Sequence, residues 1–346
     1  MKDIVLFDGG MGQELVKRNL STNDPMWSAR VLLDNFELVK KLHIEFINAG
    51  STVITTNSYS CTPQRLRRFN LEHEFEKLQN LAIKAAKTAI IETSTNRSVK
   101  IAGCFSPLGG SYYSDTSITE NEMYETYRAI GEIQKDQVDY FIIETMSSIN
   151  EAICAVEALS SFNKKIILCF CLFEGDGTKL FSGEDLKKAC DSIDKTKIYG
   201  ICVNCSQIED IQKALNIIKS YGCPFGALPN NFKSVKPLKL GMSVDNLEKR
   251  NDIFINDFIK NAVSWLDNGA SILGGCCEIS SGALRMSFFY ALVIPILILG
   301  LIYILVIENK GMPLRMERVS DNSGAIWTFG VITITLLSIL KYLSGR

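Results

Sequence analysis

Histidine is scarce in this sequence of 346 residues: only His43 and His73 occur, against 11 cysteines. A metal site with three histidine ligands is therefore excluded, and cysteine is the residue type in which we look first for chemistry. The chain also lacks an excess of positive charge, because 37 Lys and Arg residues face 38 Asp and Glu residues. Without a basic surplus to neutralise phosphates, binding to nucleic acid is not expected.

The N-terminus lacks a signal-peptide pattern, and the cysteines lack the regular spacing of a secreted disulfide framework. Lys2 and Asp3 introduce charge at once, and a glycine pair follows Asp8. We therefore expect a reducing, cytoplasmic setting in which the thiols stay free.

Long uncharged runs are absent up to Gly282 but occur after Arg285, and they raise the mean hydropathy of the chain to +0.11. Residues 287–307 carry no charge, and roughly 21 residues suffice to cross a hydrocarbon core of about 30 Å. Residues 325–343 are a shorter second candidate; a buried helix of a larger fold is the alternative for the first. The sequence thus predicts two domains: a cytoplasmic catalytic part, residues 1–282, and a hydrophobic tail, residues 283–346, that anchors it to a membrane. The flanking charges do not fix the orientation.

Eight short β-rich runs alternate with helical segments in the first part: residues 4–7, 52–56, 100–105, 140–143, 166–173, 199–203, 224–228 and 270–273. Two helices begin with an N-cap residue followed three places later by Glu, as in a capping box: Thr119 with Glu122, and Ser148 with Glu151. Alternating strands and helices indicate a parallel sheet, and eight units in about 280 residues match a (β/α)8 TIM-type barrel better than an open doubly wound sheet. Periodicity does not show closure, so the open sheet stays an alternative.

Catalytic groups of such a barrel lie at the C-terminal ends of its strands. Cys205 follows the sixth run, and Cys276 and Cys277 follow the eighth, so closure would bring these thiols together. Three thiolates form a soft site that suits Zn²⁺ and leaves one position open for water or substrate. Adjacent strand residues point to opposite faces, so we expect Gly274 and Gly275 to supply the backbone angles that turn both sulfurs inward. The alternative is that these are ordinary buried thiols, as we expect of the other eight cysteines.

Five motifs, in this order, resemble the zinc-dependent homocysteine S-methyltransferase family. They are LFDGGMG at residues 6–12, PMWSARVLLDN at 25–35, VNCS at 203–206, LPN at 228–230 and GGCCE at 274–278. That family includes betaine-homocysteine methyltransferase and the N-terminal module of cobalamin-dependent methionine synthase. The resemblance implies a barrel that transfers a methyl group to the sulfur of homocysteine and yields methionine.

The resemblance also implies roles for individual residues. The three cysteines would be the ligands of a catalytic zinc ion that activates the substrate thiol. Asp8 and Glu144 would hold the amino group of homocysteine, and Asn230 matches a residue that in some members occupies the fourth zinc position until substrate displaces it. Because the thiolate is the nucleophile and binding to zinc deprotonates a thiol at neutral pH, no histidine base is required.

The methyl donor is expected to be an onium compound, because the chain has no room for folate and cobalamin modules. Aromatic faces bind such cations, and the candidates near strand ends are Trp27, Tyr59, Tyr112 and Tyr113. Trp27 matches a tryptophan that contacts the donor in the betaine enzyme, whereas the tyrosine that follows the strand-four glutamate there is Thr145 here. The comparison favours S-methylmethionine or S-adenosylmethionine over betaine.

The sequence departs from the family pattern after Glu278, where members continue into a Gly-Pro turn and a final amphipathic helix. Here residues 279–282 lead into the hydrophobic tail, so we expect the barrel to lack a normal final helix. The first hydrophobic segment, the bilayer or another chain would then cover the exposed flank, or the join reflects a fused or frame-shifted reading frame.

Two other functions stay open at this stage. One is methylation of a related thiol or selenol, and the other is a non-catalytic, membrane-attached zinc or redox sensor in which the three-cysteine site is structural. The carboxylates beside the cysteines favour an enzyme, because a sensor has no need of a site for an amino-acid ammonium group.

Overall fold

The computed structural model describes residues 4–18, 26–113, 117–238, 244, 247–251 and 255–288. The chain divides into two compact units, Met1–Ile294 and Pro295–Arg346, and every described residue belongs to the first. Apart from residues 287 and 288, the predicted membrane spans 287–307 and 325–343 lie outside the described residues. Among the residues that are described, no helix is long and apolar enough to cross a bilayer. Membrane anchoring and the domain boundary at residue 282 therefore stay predictions.

The described residues form ten strands and eleven α-helices. The strands are β1 Val5–Leu6, β2 Val53–Thr55, β3 Lys100–Phe105, β4 Tyr140–Met146, β5 Lys165–Phe170, β6 Leu172–Phe173, β7 Asp176–Leu180, β8 Gly200–Asn204, β9 Phe225–Leu228 and β10 Ile272–Leu273. The helices are α1 Met11–Arg18, α2 Ser28–Asp34, α3 Phe36–Ala49, α4 Pro63–Arg67, α5 Phe75–Glu92, α6 Glu120–Gln134, α7 Ile149–Ser160, α8 Leu186–Asp191, α9 Ile208–Ile218, α10 Ile255–Asp267 and α11 Ser281–Phe288.

Eight strands form one parallel sheet in the order β1-β10-β9-β8-β5-β4-β3-β2, and each of the eight predicted runs supplies one of them. The two ends of this order, β1 and β2, also meet. Thr52 N donates to Leu6 O at 2.8 Å, and Leu6 N donates to Thr52 Oγ1 at 3.0 Å. These bonds join the edges of the sheet, as expected for the predicted (β/α)8 barrel and not for an open sheet.

Two apolar layers hold the barrel together. Side chains that alternate along the strands fill its interior, among them Phe7, Ile142, Ile167 and Ile272, none of which is exposed to solvent. The intervening residues pack outward against the helices, as alternation in a strand requires. Because the strands are parallel and fixed from both sides, their C-terminal ends share one edge.

One of the two predicted capping boxes is present in part, as its N-cap bond. Thr119 Oγ1 accepts a hydrogen bond from Glu122 N at 3.2 Å at the start of α6. Ser148 makes no such side-chain bond to α7. Glu151 instead turns into the core, where Tyr127 Oη donates to its carboxylate at 2.9 Å, so the second box was predicted wrongly.

A hairpin interrupts the fifth predicted run, residues 166–173. The run divides at Cys171 into β5, which belongs to the barrel, and β6, which pairs antiparallel with β7 outside it. Leu172 N donates to Ser206 Oγ at 2.9 Å instead of continuing the barrel ladder. Gly175, with φ of 87°, forms the tight turn between β6 and β7.

A short helix, α11, follows the cysteine turn. Its Leu284 is fully buried, and a Cβ atom placed on Gly9 would lie 3.1 Å from Leu284 Cδ1, so α11 packs directly on the start of the barrel. The expectation that a final helix is missing is corrected to this extent: the described residues contain about two turns of helix in that position.

Candidate active site

Cys205, Cys276 and Cys277 meet at the C-terminal edge of the barrel. Cys276 Sγ lies 2.7 Å from Cys205 Sγ, and Cys277 Sγ lies 3.7 Å from it. All three sulfurs lie within 4.8 Å of one another, and no other trio of His, Cys, Asp or Glu in the described part of the chain converges in this way. The three thiols can therefore hold one metal ion between them.

The backbone after β10 brings two adjacent cysteines to one point because they lie in a turn rather than in the strand. Neither Gly274 nor Gly275 has a positive φ, so the expectation that they supply unusual backbone angles is wrong. A Cβ on Gly274 would lie 2.6 Å from Phe7 Cβ, and one on Gly275 would lie 2.4 Å from Ile279 Cγ2. Glycine is needed at both positions because the turn is packed too closely for any side chain.

Strained backbone is concentrated at this site. Seven non-glycine residues of the described chain have positive φ, and five of them lie here: Trp27 (53°), Tyr112 (57°), Thr145 (60°), Cys205 (48°) and Glu278 (65°). Such conformations cost free energy and persist where the surrounding structure enforces them, which is typical of functional sites.

Tyr112 is a partner of the cysteines that the sequence did not reveal in this role. Its hydroxyl group donates to Cys205 Sγ at 2.9 Å, and its ring packs on Phe181 with 5.4 Å between ring centroids. Burial opposes ionisation of Cys205, but hydrogen bonds from Cys276, Cys277 and Tyr112 outweigh it and hold the pKa of Cys205 well below its usual range. The same bonds to Cys205 raise the pKa values of Cys276 and Cys277 well above that range. Of the three thiols, Cys205 is therefore the one that ionises most readily.

Two carboxyl groups face the same cavity. Asp8 accepts hydrogen bonds from Thr55 N at 2.8 Å and Thr55 Oγ1 at 2.9 Å. Burial nevertheless raises the pKa of Asp8 to about 7. Burial also raises the pKa of Glu144 to about 8, and the negative charge of Asp8 adds to this rise although the Cys104 thiol donates to Glu144. Carboxyl groups that resist ionisation when alone are suited to a cationic partner.

One cavity of about 150 Å³ connects these groups. It joins eight of the ten residues that the sequence indicated for the metal, homocysteine and donor sites with others that it did not. Its wall includes Asp8, Trp27, Tyr59, Arg65, Arg68, Tyr112, Glu144, Thr145, Cys205, Cys276 and Cys277.

Among the residues predicted for the metal and for homocysteine, Asn230 alone does not line this cavity. Its Nδ2 donates to Cys205 O at 2.8 Å, and its Oδ1 accepts from Phe232 N at 3.3 Å. Both ends of the amide are thus engaged, and the side chain holds the backbone of Cys205 in place. A role as fourth metal ligand stays a prediction that requires this side chain to turn.

A buried network links the cysteine turn to Trp27. Trp27 Nε1 donates to Gln13 Oε1 at 3.1 Å, and Gln13 Nε2 donates to Glu278 Oε1 at 3.1 Å. The other oxygen of Glu278 lies 2.6 Å from Lys17 Nζ and 3.3 Å from Lys249 Nζ. In the sequence, only the spacing of Gln13 and Lys17 could have indicated this network, because it places both residues on one face of α1.

The aromatic candidates for the donor site separate into two groups. Tyr59 and Trp27 pack edge to face, with 6.1 Å between ring centroids, on the cavity wall. The guanidinium carbon of Arg65 lies 5.1 Å from the centroid of the Tyr59 ring. Tyr113, in contrast, is 44% exposed and does not line the cavity.

Neither histidine reaches the cavity. His43 is fully buried in α3, where burial lowers its pKa to about 3, and neither ring nitrogen has a hydrogen-bond partner among the described residues. The side chain of His73 is 69% exposed beside Glu74. The site therefore has no histidine base, as expected from the sequence.

Comparison with known proteins agrees with this geometry. The family model for homocysteine S-methyltransferase matches residues 5–286. Selenocysteine Se-methyltransferase of Brassica oleracea var. italica is 27% identical over 81% of this chain and 86% of its own length. Homocysteine S-methyltransferase 1 of the same plant is 28% identical, with coverage of 80% and 90%.

A solved structure shares the fold. The metallated form of the homocysteine methyltransferase MmuM from Escherichia coli superposes with a TM-score of 0.67 at 24% identity, over 82% of this chain and 95% of that chain. The shared fold agrees with the family match, which covers residues 5–286 of the barrel. The chain belongs to the homocysteine S-methyltransferase family and is a methyltransferase of that class.

Proposed function

We propose that this protein transfers a methyl group from a sulfonium donor, S-methylmethionine or S-adenosylmethionine, to the sulfur of homocysteine, with zinc held by Cys205, Cys276 and Cys277. The observation that carries the proposal is the convergence of three sulfurs beside two carboxyl groups, Asp8 and Glu144, in one cavity. The sulfurs fit a thiophilic metal, and the carboxyl groups fit the ammonium group of an amino acid.

The cysteine trio fits zinc on two counts. A tetrahedral ion with Zn–S bonds near 2.3 Å holds its sulfurs roughly 3.8 Å apart, close to the 3.7 Å between Cys205 and Cys277. The closer Cys205–Cys276 pair would separate on binding. Cys205 is also the thiol that ionises most readily, which favours capture of a cation. The E. coli relative has also been solved in a metallated form.

When bound, zinc would keep the homocysteine sulfur as a thiolate at neutral pH. Asp8 and Glu144 bind the substrate ammonium, and its positive charge lowers both of their raised pKa values, so that they ionise as substrate arrives. Trp27 and Tyr59 border the space for the donor cation. A C–S bond forms at the homocysteine sulfur as the donor C–S bond breaks, and the donor leaves as a neutral thioether without a proton transfer by the protein.

A selenol acceptor is the second candidate, because a selenocysteine Se-methyltransferase is among the relatives. Selenocysteine carries the same ammonium and carboxylate groups as homocysteine, on a side chain that is one methylene shorter. Asp8 and Glu144 would hold it equally well. Competition between the two acceptors, measured as the ratio of kcat/KM values, decides between them.

The experiment that tests the proposal combines zinc analysis with a methyl-transfer assay on the full chain, with S-methylmethionine, S-adenosylmethionine and betaine as donors. We expect about one zinc per chain and methionine formation from a sulfonium donor. Cys276→Ala should abolish both, whereas Cys154→Ala, which removes a half-buried thiol on α7, should leave both intact. Bound zinc without turnover for any donor and acceptor would contradict the proposal and favour the zinc or redox sensor.

A further inference from the structure

We infer that Arg65, on the cavity wall, forms the subsite for the carboxylate of the sulfonium donor and so sets specificity for a donor that carries one. The inference rests on the proposed function and adds a residue that determines donor specificity. It is carried by the position, contacts and charge of a side chain that the sequence motifs did not single out.

Arg65 is held rigidly at the cavity wall. It lies on α4, where Thr62 Oγ1 caps the helix by accepting from Arg65 N at 3.4 Å. Its Nη2 and Nε donate to Pro107 O at 2.9 and 3.3 Å, and the guanidinium group lies over the Tyr59 ring. A carbonyl on one edge and an aromatic face beneath it fix the plane of the guanidinium group, which limits the entropy lost when it binds an anion.

The positive charge of Arg65 has no carboxylate partner among the described residues. No acidic side chain of that part of the chain forms an ion pair with it, although the residue is half-buried. A guanidinium group has five N–H donors, and Pro107 O accepts two of them. The remaining donors can bind a carboxylate, the anion whose geometry matches the planar fork.

A guanidinium group without a carboxylate partner, in a cavity for a cationic donor, needs an explanation. A sulfonium without an anionic group would be repelled by Arg65, because like charges at short distance in a partly dry site are unfavourable. An amino-acid sulfonium carries a carboxylate beside its ammonium group, and a charge-assisted hydrogen bond between that carboxylate and Arg65 offsets the repulsion. Asp8 and Glu144 cannot provide that compensation for the donor, because they serve the homocysteine ammonium group.

The subsite lies next to the aromatic pair of the donor site. Arg65 stacks on Tyr59, and Tyr59 packs edge to face on Trp27 at 6.1 Å. The three side chains form a continuous wall, with the carboxylate partner at one end and the indole at the other. This order assigns Arg65 to the donor and not to homocysteine, whose own partners are the cysteine trio, Asp8 and Glu144.

The test compares two donors that share one sulfonium group. S-methylmethionine has the carboxylate, and S-methylmethioninamide carries a neutral carboxamide in its place. Dissociation constants from calorimetry and kcat/KM values with homocysteine are measured for both donors on the zinc-loaded full chain. We expect the wild-type protein to prefer the carboxylate donor by about 10- to 100-fold, the range of one charge-assisted hydrogen bond.

Substitutions locate the origin of this preference. Arg65→Gln should reduce the preference for the carboxylate donor over the carboxamide donor to about 3-fold or less and leave the KM for homocysteine unchanged. Arg65→Lys, which keeps the positive charge but loses the planar guanidinium group, should retain part of that preference. Arg67→Gln is the matched control, because Arg67 is on the same helix but is 63% exposed and pairs with Glu72. Equal melting temperatures of the variants exclude loss of fold.

Each other outcome overturns the inference. A wild-type ratio near one shows that no carboxylate is recognised, and a large ratio that survives in Arg65→Gln places the carboxylate elsewhere. A rise in the KM for homocysteine, with the donor ratio intact, assigns Arg65 to the acceptor. Absence of methyl transfer from both donors would instead contradict the proposed function. The ratio of the two dissociation constants would in that case still show whether Arg65 binds the donor carboxylate.

Discussion

The hydroxyl group of Tyr112 donates a hydrogen bond to Cys205 Sγ at 2.9 Å. Tyr112 is buried and has a φ of 57°, so strained backbone in the loop after β3 brings this donor to a sulfur of the proposed metal site. A hydrogen bond to a metal-bound thiolate withdraws charge from it, as partners of metal ligands commonly do. Cys205 then becomes a poorer nucleophile than the homocysteine sulfur, and the methyl group goes to the substrate rather than to the protein.

Tyr112→Phe should therefore make the protein methylate itself. On incubation of the zinc-loaded chain with a sulfonium donor and no homocysteine, we expect Cys205 to gain a methyl group about five times faster than in the wild type, the effect of roughly 1 kcal/mol. Peptide mass spectrometry measures the modified fraction. Tyr113→Phe, at the exposed neighbour, is the control. Equal rates in both variants would show that the hydrogen bond has only a structural role.

Zinc binding should release about two protons per ion near pH 7. We expect Cys205 to be ionised in the metal-free trio because its pKa lies well below the usual range, whereas the pKa values of Cys276 and Cys277 lie well above it. Apparent zinc affinity should then rise about 100-fold per pH unit over the interval in which those two thiols stay protonated. Calorimetry in buffers of different ionisation enthalpy counts the protons. Release of three protons, or of none, is incompatible with a single preformed thiolate.

The affinity for homocysteine should fall as pH decreases from 8 to 6. The unliganded pKa values are about 7 for Asp8 and about 8 for Glu144, and the substrate ammonium needs both carboxylates ionised. Acidification protonates them and weakens binding by at least about tenfold. Asp8→Asn should lower the affinity at pH 8 and also flatten its dependence on pH, since one titrating group is gone. A pH profile of the KM for homocysteine that is unchanged in Asp8→Asn and in Glu144→Gln would contradict this assignment.

Glu278→Gln should impair use of the donor more than binding of zinc. Its carboxylate, 3% exposed, pairs with two lysines and orients Gln13, which in turn holds the indole of Trp27. Loss of the charge leaves Lys17 without this buried partner and loosens Trp27, so we expect the KM for the donor to rise about tenfold with zinc content unchanged. Glu157→Gln, which breaks the surface pair with Lys197, is the control. Loss of zinc with an unchanged donor KM would show that Glu278 supports only the cysteine turn.

The barrel and the cysteine trio could be predicted from the sequence because both depend on local pattern and chain order. Short apolar runs alternate with helices, and Cys205, Cys276 and Cys277 follow the sixth and eighth runs. Parallel strands place those positions at one edge whatever the details of packing. Residues 166–173 were misread because the run is apolar throughout, and nothing in it marks the break at Cys171, which depends on the distant Ser206.

The contacts that refine the site could not be predicted, because they join residues that are far apart in the chain. Gln13 and Glu278 are separated by 265 positions, and Tyr112 and Cys205 by 93. The role of Gly275 was also hidden, since a glycine needed for space and one needed for a positive φ look the same in a sequence. Arg65 becomes a candidate for binding the donor only through its contact with the Tyr59 ring and its position on the cavity wall.

The central claim is that the homocysteine sulfur completes a metal site formed by Cys205, Cys276 and Cys277. Zinc K-edge X-ray absorption on the zinc-loaded chain, with and without homocysteine, tests it directly. We predict three sulfurs at about 2.3 Å and one oxygen or nitrogen ligand without substrate, and four sulfurs with it. Three sulfurs in both states would contradict the account, because the substrate thiol would then not be activated at the metal.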